Sequence, residues 1–121
     1  MMAEYAEALK RNGIDYDGAM ERFGGNAELY ERLALKFLDD THFAALEQAL
    51  AGGDVDTAVR EAHTLKGVAG NLSFTALYEA ASKVNAALRE GDLAGATALM
   101  DPVRSAHAAV VSALSSLRDA R

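Results

Sequence analysis

Hydrophobic residues recur along the chain at steps of three and four, the spacing of one face of an α-helix. No stretch alternates between apolar and polar residues as a β-strand would. The pattern is interrupted by short groups of helix-breaking residues, at Asn12-Gly13, Gly24-Gly25, Gly52-Gly53, 71–74, Gly91-Asp92 and Asp101-Pro102. We therefore predict an all-α fold, an antiparallel four-helix bundle with short accessory N-terminal helices. Residues 1–121 are interpreted as one domain, with the bundle core at about residues 26–119.

The breakers divide the chain into predicted helical segments, with approximate bounds at residues 2–12, 15–23, 26–51, 54–72, 74–90 and 92–117. Asn26 and Asp54 are predicted to be N-caps, because their side chains can accept hydrogen bonds from the first free backbone N–H groups of a helix. In the last segment, Asp101 is predicted to cap a new helix with Pro102 in its first position, or Pro102 kinks one continuous helix.

Composition narrows the classes of function. Half of the 121 residues are hydrophobic, which is typical of a folded domain. Cysteine is absent, which excludes disulfides, thiolate catalysis and cysteine-based zinc sites. A formal charge of -6 opposes nucleic-acid binding. Neither a signal peptide nor an apolar run of about 18 residues is visible, so we expect a cytoplasmic chain that does not enter a membrane.

The most informative segment surrounds His63. An apolar stripe of this predicted helix is expected to face the core, and it is formed by Ala62, Leu65, Ala69 and Leu72. His63, Lys66, Gly67 and Gly70 then lie on a neighbouring, more solvated face. A single histidine on a helix is most often simply solvated. Here, however, Lys66 lies one turn away and could neutralise phosphoryl oxygens.

The two glycines of this face need a physical reason, since each costs about 1 kcal/mol in a helix interior relative to alanine. Close packing against another helix is one possible reason. Gly67 and Gly70 are predicted to lie on the face of His63, however, and not on the apolar stripe. We therefore interpret them as a docking surface, kept free of side chains so that a partner's active site can approach His63.

The segment from His63-Thr64-Leu65-Lys66-Gly67 to Leu72 resembles the phosphorylation motif of histidine-containing phosphotransfer (HPt) domains of bacterial phosphorelays. The similarity covers roughly residues 14–117 and includes the stretch Phe23-Gly24-Gly25-Asn26. It implies that His63 is the phosphoryl acceptor, that Lys66 helps to hold the phosphoryl group, and that Gly67 keeps the docking surface clear. One departure is Ser73, where the family commonly has glycine.

The resemblance also implies a phosphocarrier without autokinase activity, in keeping with the lack of any ATP-binding glycine-rich motif. Its expected partners are receiver domains of response regulators or of hybrid sensor histidine kinases. Such a partner supplies the aspartate and the Mg²⁺, so no cofactor is expected on this chain. The main alternative is an adaptor bundle that binds a signalling partner without being phosphorylated. The sequence does not distinguish an independent shuttle from a domain of a hybrid kinase.

A second polar group is predicted opposite His63. If the chain reverses near Ser73, His63 faces the region of Asn85 in the following antiparallel helix, and Arg89 lies one turn further on the same side. Related domains often carry a glutamine at this level. We predict that Asn85 orients the imidazole or a phosphoryl oxygen, and that Arg89 adds positive charge. The alternative is a solvated polar pair.

The other two histidines give weaker candidates. His42 follows Asp39 by three residues, a spacing that could supply two ligands of a metal site within a helical bundle. The sequence contains no second pair of this kind to complete the site, so we expect His42 to be a solvated surface residue. His107 lies among alanines and is interpreted as a histidine at the edge of the core. No metal site is predicted. A bundle enzyme that binds a metal or cofactor is the remaining alternative.

Overall fold

The computed structural model describes residues 2–120. These residues form eight α-helices: α1 Ala6–Arg11, α2 Tyr16–Arg22, α3 Ala27–Lys36, α4 His42–Ala51, α5 Val55–Asn71, α6 Thr75–Arg89, α7 Leu93–Ala98 and α8 Met100–Asp119. Two short 3-10 turns accompany them, at Met2–Tyr5 and Phe37–Asp39. Within the described range there is no β-strand, only an isolated bridge between Ile14 and Phe74. The predicted all-α fold is confirmed.

The helices form a four-helix bundle whose first and last members are each built from two pieces. Helix α5 packs against α4 and α6, α6 also packs against α7 and α8, and α3 packs against α8. Three-residue turns join α4 to α5 and α5 to α6, so these neighbours run antiparallel. The largest fully buried side chains include Tyr30, Leu46, Leu65, Phe74, Leu77 and Leu114. None of the helices between residues 2 and 120 has the length and apolarity to cross a membrane.

The prediction of one long bundle helix from Asn26 to about Ala51 is wrong, because this segment forms two helices, α3 and α4. Asn26 does cap α3, accepting a hydrogen bond from the backbone N–H of Leu29 at 3.1 Å. The chain then passes through a 3-10 turn into extended backbone at Asp40. The Asp40 carboxylate accepts a hydrogen bond from the His42 N–H at 2.8 Å, which gives the backbone an alternative to a continuous helix.

The predicted cap at Asp101 is also wrong. Helix α8 already begins at Met100, so Asp101 and Pro102 both lie in its first turn. Proline is tolerated there because the first backbone N–H groups of a helix have no partner within it. The Asp101 carboxylate instead accepts a hydrogen bond from Arg104 at 2.6 Å.

Ser73 occupies a turn position that other helices of this chain fill with glycine. The turn after α5 has the same pair of backbone hydrogen bonds, from Ser73 to Gly70 and from Phe74 to Ala69, as the turns after α4 and α6. Gly53 and Gly91 have φ values of 70° and 76° in those turns, and Ser73 has 59°. The turn is therefore as tight as the glycine form, and the serine bears the strain of a left-handed backbone.

We expect Ser73→Gly to raise the free energy of unfolding by about 0.5–1 kcal/mol. Glycine relieves the strain of the left-handed backbone, but it also increases the conformational entropy of the unfolded chain, which offsets part of the gain. The matched reverse change is Gly53→Ser, where an added Cβ would meet nothing within 4 Å. It should lower the free energy of unfolding by about 1 kcal/mol. Urea denaturation measures both, and a loss of stability in Ser73→Gly would show that the serine side chain is needed in the turn.

Candidate functional site

His63 is exposed on α5 and lines an open groove of about 530 Å³. Lys66, Gly67 and Gly70 line the same groove, which we call the His63 groove. On the opposite side of α5, the apolar stripe is buried as predicted, since Ala62, Leu65 and Ala69 are fully inaccessible and Leu72 nearly so. Helix α5 therefore places the imidazole of His63 and the side chain of Lys66 on its solvent-facing side.

The two glycines of the groove differ in their surroundings. A Cβ added at Gly67 would meet no atom within 4 Å, so no packing contact among residues 2–120 requires a glycine there. A Cβ added at Gly70 would lie 3.0 Å from Cδ1 and 3.1 Å from Cε1 of the Tyr78 ring. Open space at Gly67 supports the docking interpretation. Gly70, in contrast, also has a packing reason, because the Tyr78 ring lies close to it.

The accessory helix α2 and its N-cap form one side of the groove, which the pattern of the sequence did not indicate. Asp15, Gly18 and Arg22 line it from α2, and we call these residues the N-terminal wall. Asp15 is the N-cap of α2, and its carboxylate accepts a hydrogen bond from the Gly18 N–H at 3.1 Å. Tyr78 lines the groove from α6. These residues come from α2 with its N-cap and from α6, so only the tertiary fold brings them to His63 on α5.

The N-terminal wall is fixed to the turn between α5 and α6. The Asp15 N–H donates a hydrogen bond to the backbone oxygen of Ser73 at 2.8 Å, and the Thr75 hydroxyl donates one to the backbone oxygen of Gly13 at 3.2 Å. Ile14 between them is fully buried. The loop before α2 is therefore held by the same turn that ends α5.

Tyr30 of α3 also binds the end of α5. Its hydroxyl donates a hydrogen bond to the backbone oxygen of Leu72 at 2.6 Å, and the whole residue is buried. Burial is the main cause that raises the pKa of Tyr30 far above its ordinary value, with Asp15 adding to it. The hydroxyl thus stays protonated and remains a donor, and it satisfies a carbonyl at the C-terminus of the helix that carries His63.

The structure does not place Asn85 or Arg89 among the residues that line the groove. Asn85 is buried, with 2% of its surface exposed, and its Nδ2 donates a long hydrogen bond of 3.5 Å to the backbone oxygen of Val59. It therefore links α6 to α5 one turn before His63, and the alternative of a solvated residue is wrong for it. Arg89 is exposed in the last turn of α6, where its positive charge interacts favourably with the negative end of the helix dipole. Their predicted roles at the phosphoryl group stay predictions.

His42 is not the solvated surface residue that we expected. Its Nδ1 lies 2.6 Å from Oε2 of Glu61, and both side chains are partly buried. The contact joins α4 to α5 close to His63. Asp39, the other half of the considered metal site, is exposed. Within residues 2–120, no group of three or more His, Cys, Asp or Glu side chains could hold a metal ion.

His107 is at the edge of the core, as predicted. Its ring stacks on Phe43 with the centroids 4.1 Å apart and meets the Phe37 ring edge-on at 5.7 Å. Burial lowers the pKa of His107 from the ordinary value of 6.5, and the carboxylates of Asp40 and Glu47 oppose this only in part. The folded protein therefore binds this proton less readily than the unfolded chain does.

This difference predicts a pH dependence of stability. The contribution of His107 is fully present above its unfolded-state pKa of 6.5 and is lost as the pH falls towards the lower pKa of the folded state. His107→Phe keeps a ring on Phe43 but cannot titrate. We expect urea denaturation at pH 7.5 and 5.5 to show a smaller loss of stability in the variant than in the native protein. An equal or larger loss in the variant would exclude His107 as the source.

Comparison with known protein families gives one finding for this chain. The family described as Hpt domain matches residues 37–120, which is well over half of the 121 residues. The matched segment contains His63, Lys66, Gly67 and Gly70, and it begins later than residue 14, where the resemblance was expected to start. No curated protein and no solved structure gave a significant match.

Proposed function

The chain belongs to the Hpt domain family, and on this premise we propose that it is a phosphorelay intermediate that carries a phosphoryl group on His63. Hpt domains are phosphocarriers that interact with receiver domains and have no autokinase activity. The observation that carries the proposal is the position of His63. Within the matched segment, it is exposed beside Lys66, and Gly67 next to them is open to solvent.

The proposed reaction is exchange of a phosphoryl group with an aspartate. Most histidine side chains are uncharged at neutral pH, and the unprotonated ring nitrogen of His63 attacks the phosphorus of an aspartyl phosphate on the partner. The new N–P bond forms as the P–O bond to the aspartate breaks, and the aspartate leaves as a carboxylate. The other ring nitrogen keeps its proton. The reverse step returns the phosphoryl group to an aspartate.

The residues beside His63 support this chemistry through charge and access. Phosphoryl transfer depends mainly on positioning and on neutralisation of the phosphoryl oxygens. In the proposal, Lys66 supplies one positive charge from the next turn of α5, and the receiver supplies the Mg²⁺ and the aspartate. This chain then needs no cofactor of its own.

A reversible transfer assay tests the proposal. A receiver domain charged with acetyl phosphate is mixed with the chain, and we expect the label to move to the chain as an acid-labile, alkali-stable phosphate. An uncharged receiver should then take it back. Incubation with ATP alone should give no label. Stable binding of charged receivers without any transfer would support the adaptor alternative instead.

A further inference from the structure

The N-terminal wall lies outside the segment that matches the family. The match begins at residue 37, whereas Asp15, Gly18 and Arg22 belong to α2. Two hydrogen bonds, from the Asp15 N–H to Ser73 and from the Thr75 hydroxyl to Gly13, nevertheless fix the start of α2 beside the groove. A surface beside the reactive histidine is therefore supplied by a part of the chain that the family pattern does not specify.

Arg22 brings a second positive charge to the groove, in addition to Lys66. Its side chain is exposed, and within residues 2–120 it makes neither an ion pair nor a hydrogen bond. Of the two carboxylates that line the groove, that of Asp15 already caps α2, and that of Glu79 lies on the α6 side. In a chain with a net charge of -6, an unpaired arginine at this place favours a partner that presents carboxylates.

Tyr78 adds an exposed aromatic ring to the same groove. It is 40% exposed, and only Tyr5 and Val55 are comparable among the large hydrophobic side chains of residues 2–120. The ring lies against Gly70, at a distance that leaves little room for a Cβ there. An aromatic ring that is already held in place loses little conformational freedom when a partner covers it, which is typical of residues that dominate interfaces.

We propose that Arg22 and Tyr78 form a docking contact that selects the receiver partner, separate from the phosphoryl chemistry of His63 and Lys66. The occupant is a receiver surface with a carboxylate opposite Arg22 and an apolar patch over Tyr78. This inference rests on the proposed function. It assigns the choice of partner to the N-terminal wall and α6, and the transfer step to α5.

Steady-state transfer from receiver domains charged with acetyl phosphate tests the inference, using the fastest donor of a purified panel. We expect Arg22→Gln and Tyr78→Ala each to raise the KM for the charged receiver about tenfold, with kcat changed less than about twofold. The effect of Arg22→Gln should shrink at high salt, because screening already weakens the contact in the native protein. Arg22→Lys should keep most of the affinity.

Matched controls come from exposed residues away from the groove. Arg32→Gln on α3 removes an exposed arginine, and Tyr5→Ala removes a tyrosine with the same 40% exposure. Neither should change the KM, and circular dichroism checks that every variant keeps its helical content. Equal KM values for the Arg22 and Tyr78 variants and the native chain would overturn the docking contact alone.

Two further outcomes separate this inference from the proposed function. If Arg22→Gln slows labelling by phosphoramidate as much as labelling by the receiver, Arg22 acts at the phosphoryl group, and the docking contact is overturned. Phosphoramidate is a small donor that needs no protein surface. If neither phosphoramidate nor any receiver labels the native chain, the proposed function fails, and the inference fails with it.

Discussion

His63→Gln is expected to abolish labelling of the chain by a phosphorylated receiver domain. Glutamine has no nitrogen that can attack phosphorus, because its amide lone pair is delocalised, so no N–P bond can form. His63 is exposed and lies off the buried stripe of α5, so the helix should remain folded. Circular dichroism and urea denaturation should therefore match those of the native protein.

The two other histidines provide the controls. His42→Gln loses the contact with Glu61, and His107→Gln loses a ring that stacks on Phe43. Both changes should alter stability more than His63→Gln does, yet leave the chain able to accept label. Persistent labelling of His63→Gln would contradict the assignment of His63 as the phosphoryl acceptor. Loss of labelling in either control variant, while that variant is still folded, would contradict it as well.

Gly67→Gln is expected to slow transfer from the receiver at least about tenfold, because the added side chain stands where the partner must approach. The same change should leave the free energy of unfolding unchanged or raise it by up to about 1 kcal/mol. A Cβ at position 67 would meet no atom of the described residues within 4 Å, so the new side chain can leave the helix surface towards solvent. The transfer rate should therefore fall without any loss of stability.

Alanine at the two glycines separates docking from packing. Gly67→Ala should stabilise α5 by up to about 1 kcal/mol, whereas Gly70→Ala should gain less or lose stability, because its Cβ approaches the Tyr78 ring to 3.0 Å. Urea denaturation measures the difference. If Gly67→Ala is the more destabilising of the two, an internal packing contact must explain Gly67, and the docking interpretation is wrong.

Those features of the fold that depend on local patterns could be predicted from the sequence. The apolar stripe through Ala62, Leu65 and Ala69 predicted both the helix and the exposed face of His63, because helical periodicity fixes which side chains share a face. The Asn26 and Asp54 caps were predicted correctly for the same reason, since capping depends on hydrogen bonds to residues nearby in the chain.

The predictions that failed depended on competing local contacts or on packing between distant segments. The break at Asp40 required knowing that its carboxylate would bind the His42 N–H in preference to continuing the helix. The presence of Arg22 and Tyr78 in the His63 groove was not predicted, because nothing in the spacing of residues indicates that α2 and α6 both border this part of α5. Asn85 was placed on the correct neighbouring helix, but its burial and its contact with Val59 depend on side-chain packing.

Direct mapping of the phosphorylated residue by mass spectrometry, on chain labelled by a receiver domain and kept at alkaline pH, is the most decisive measurement. The chain offers three histidines, at 42, 63 and 107. Only His63 is exposed beside a lysine and an open glycine, so we predict that the phosphate is found on His63 alone. Phosphate on His42, on His107 or on any other residue would contradict the assignment of His63 as the phosphoryl carrier.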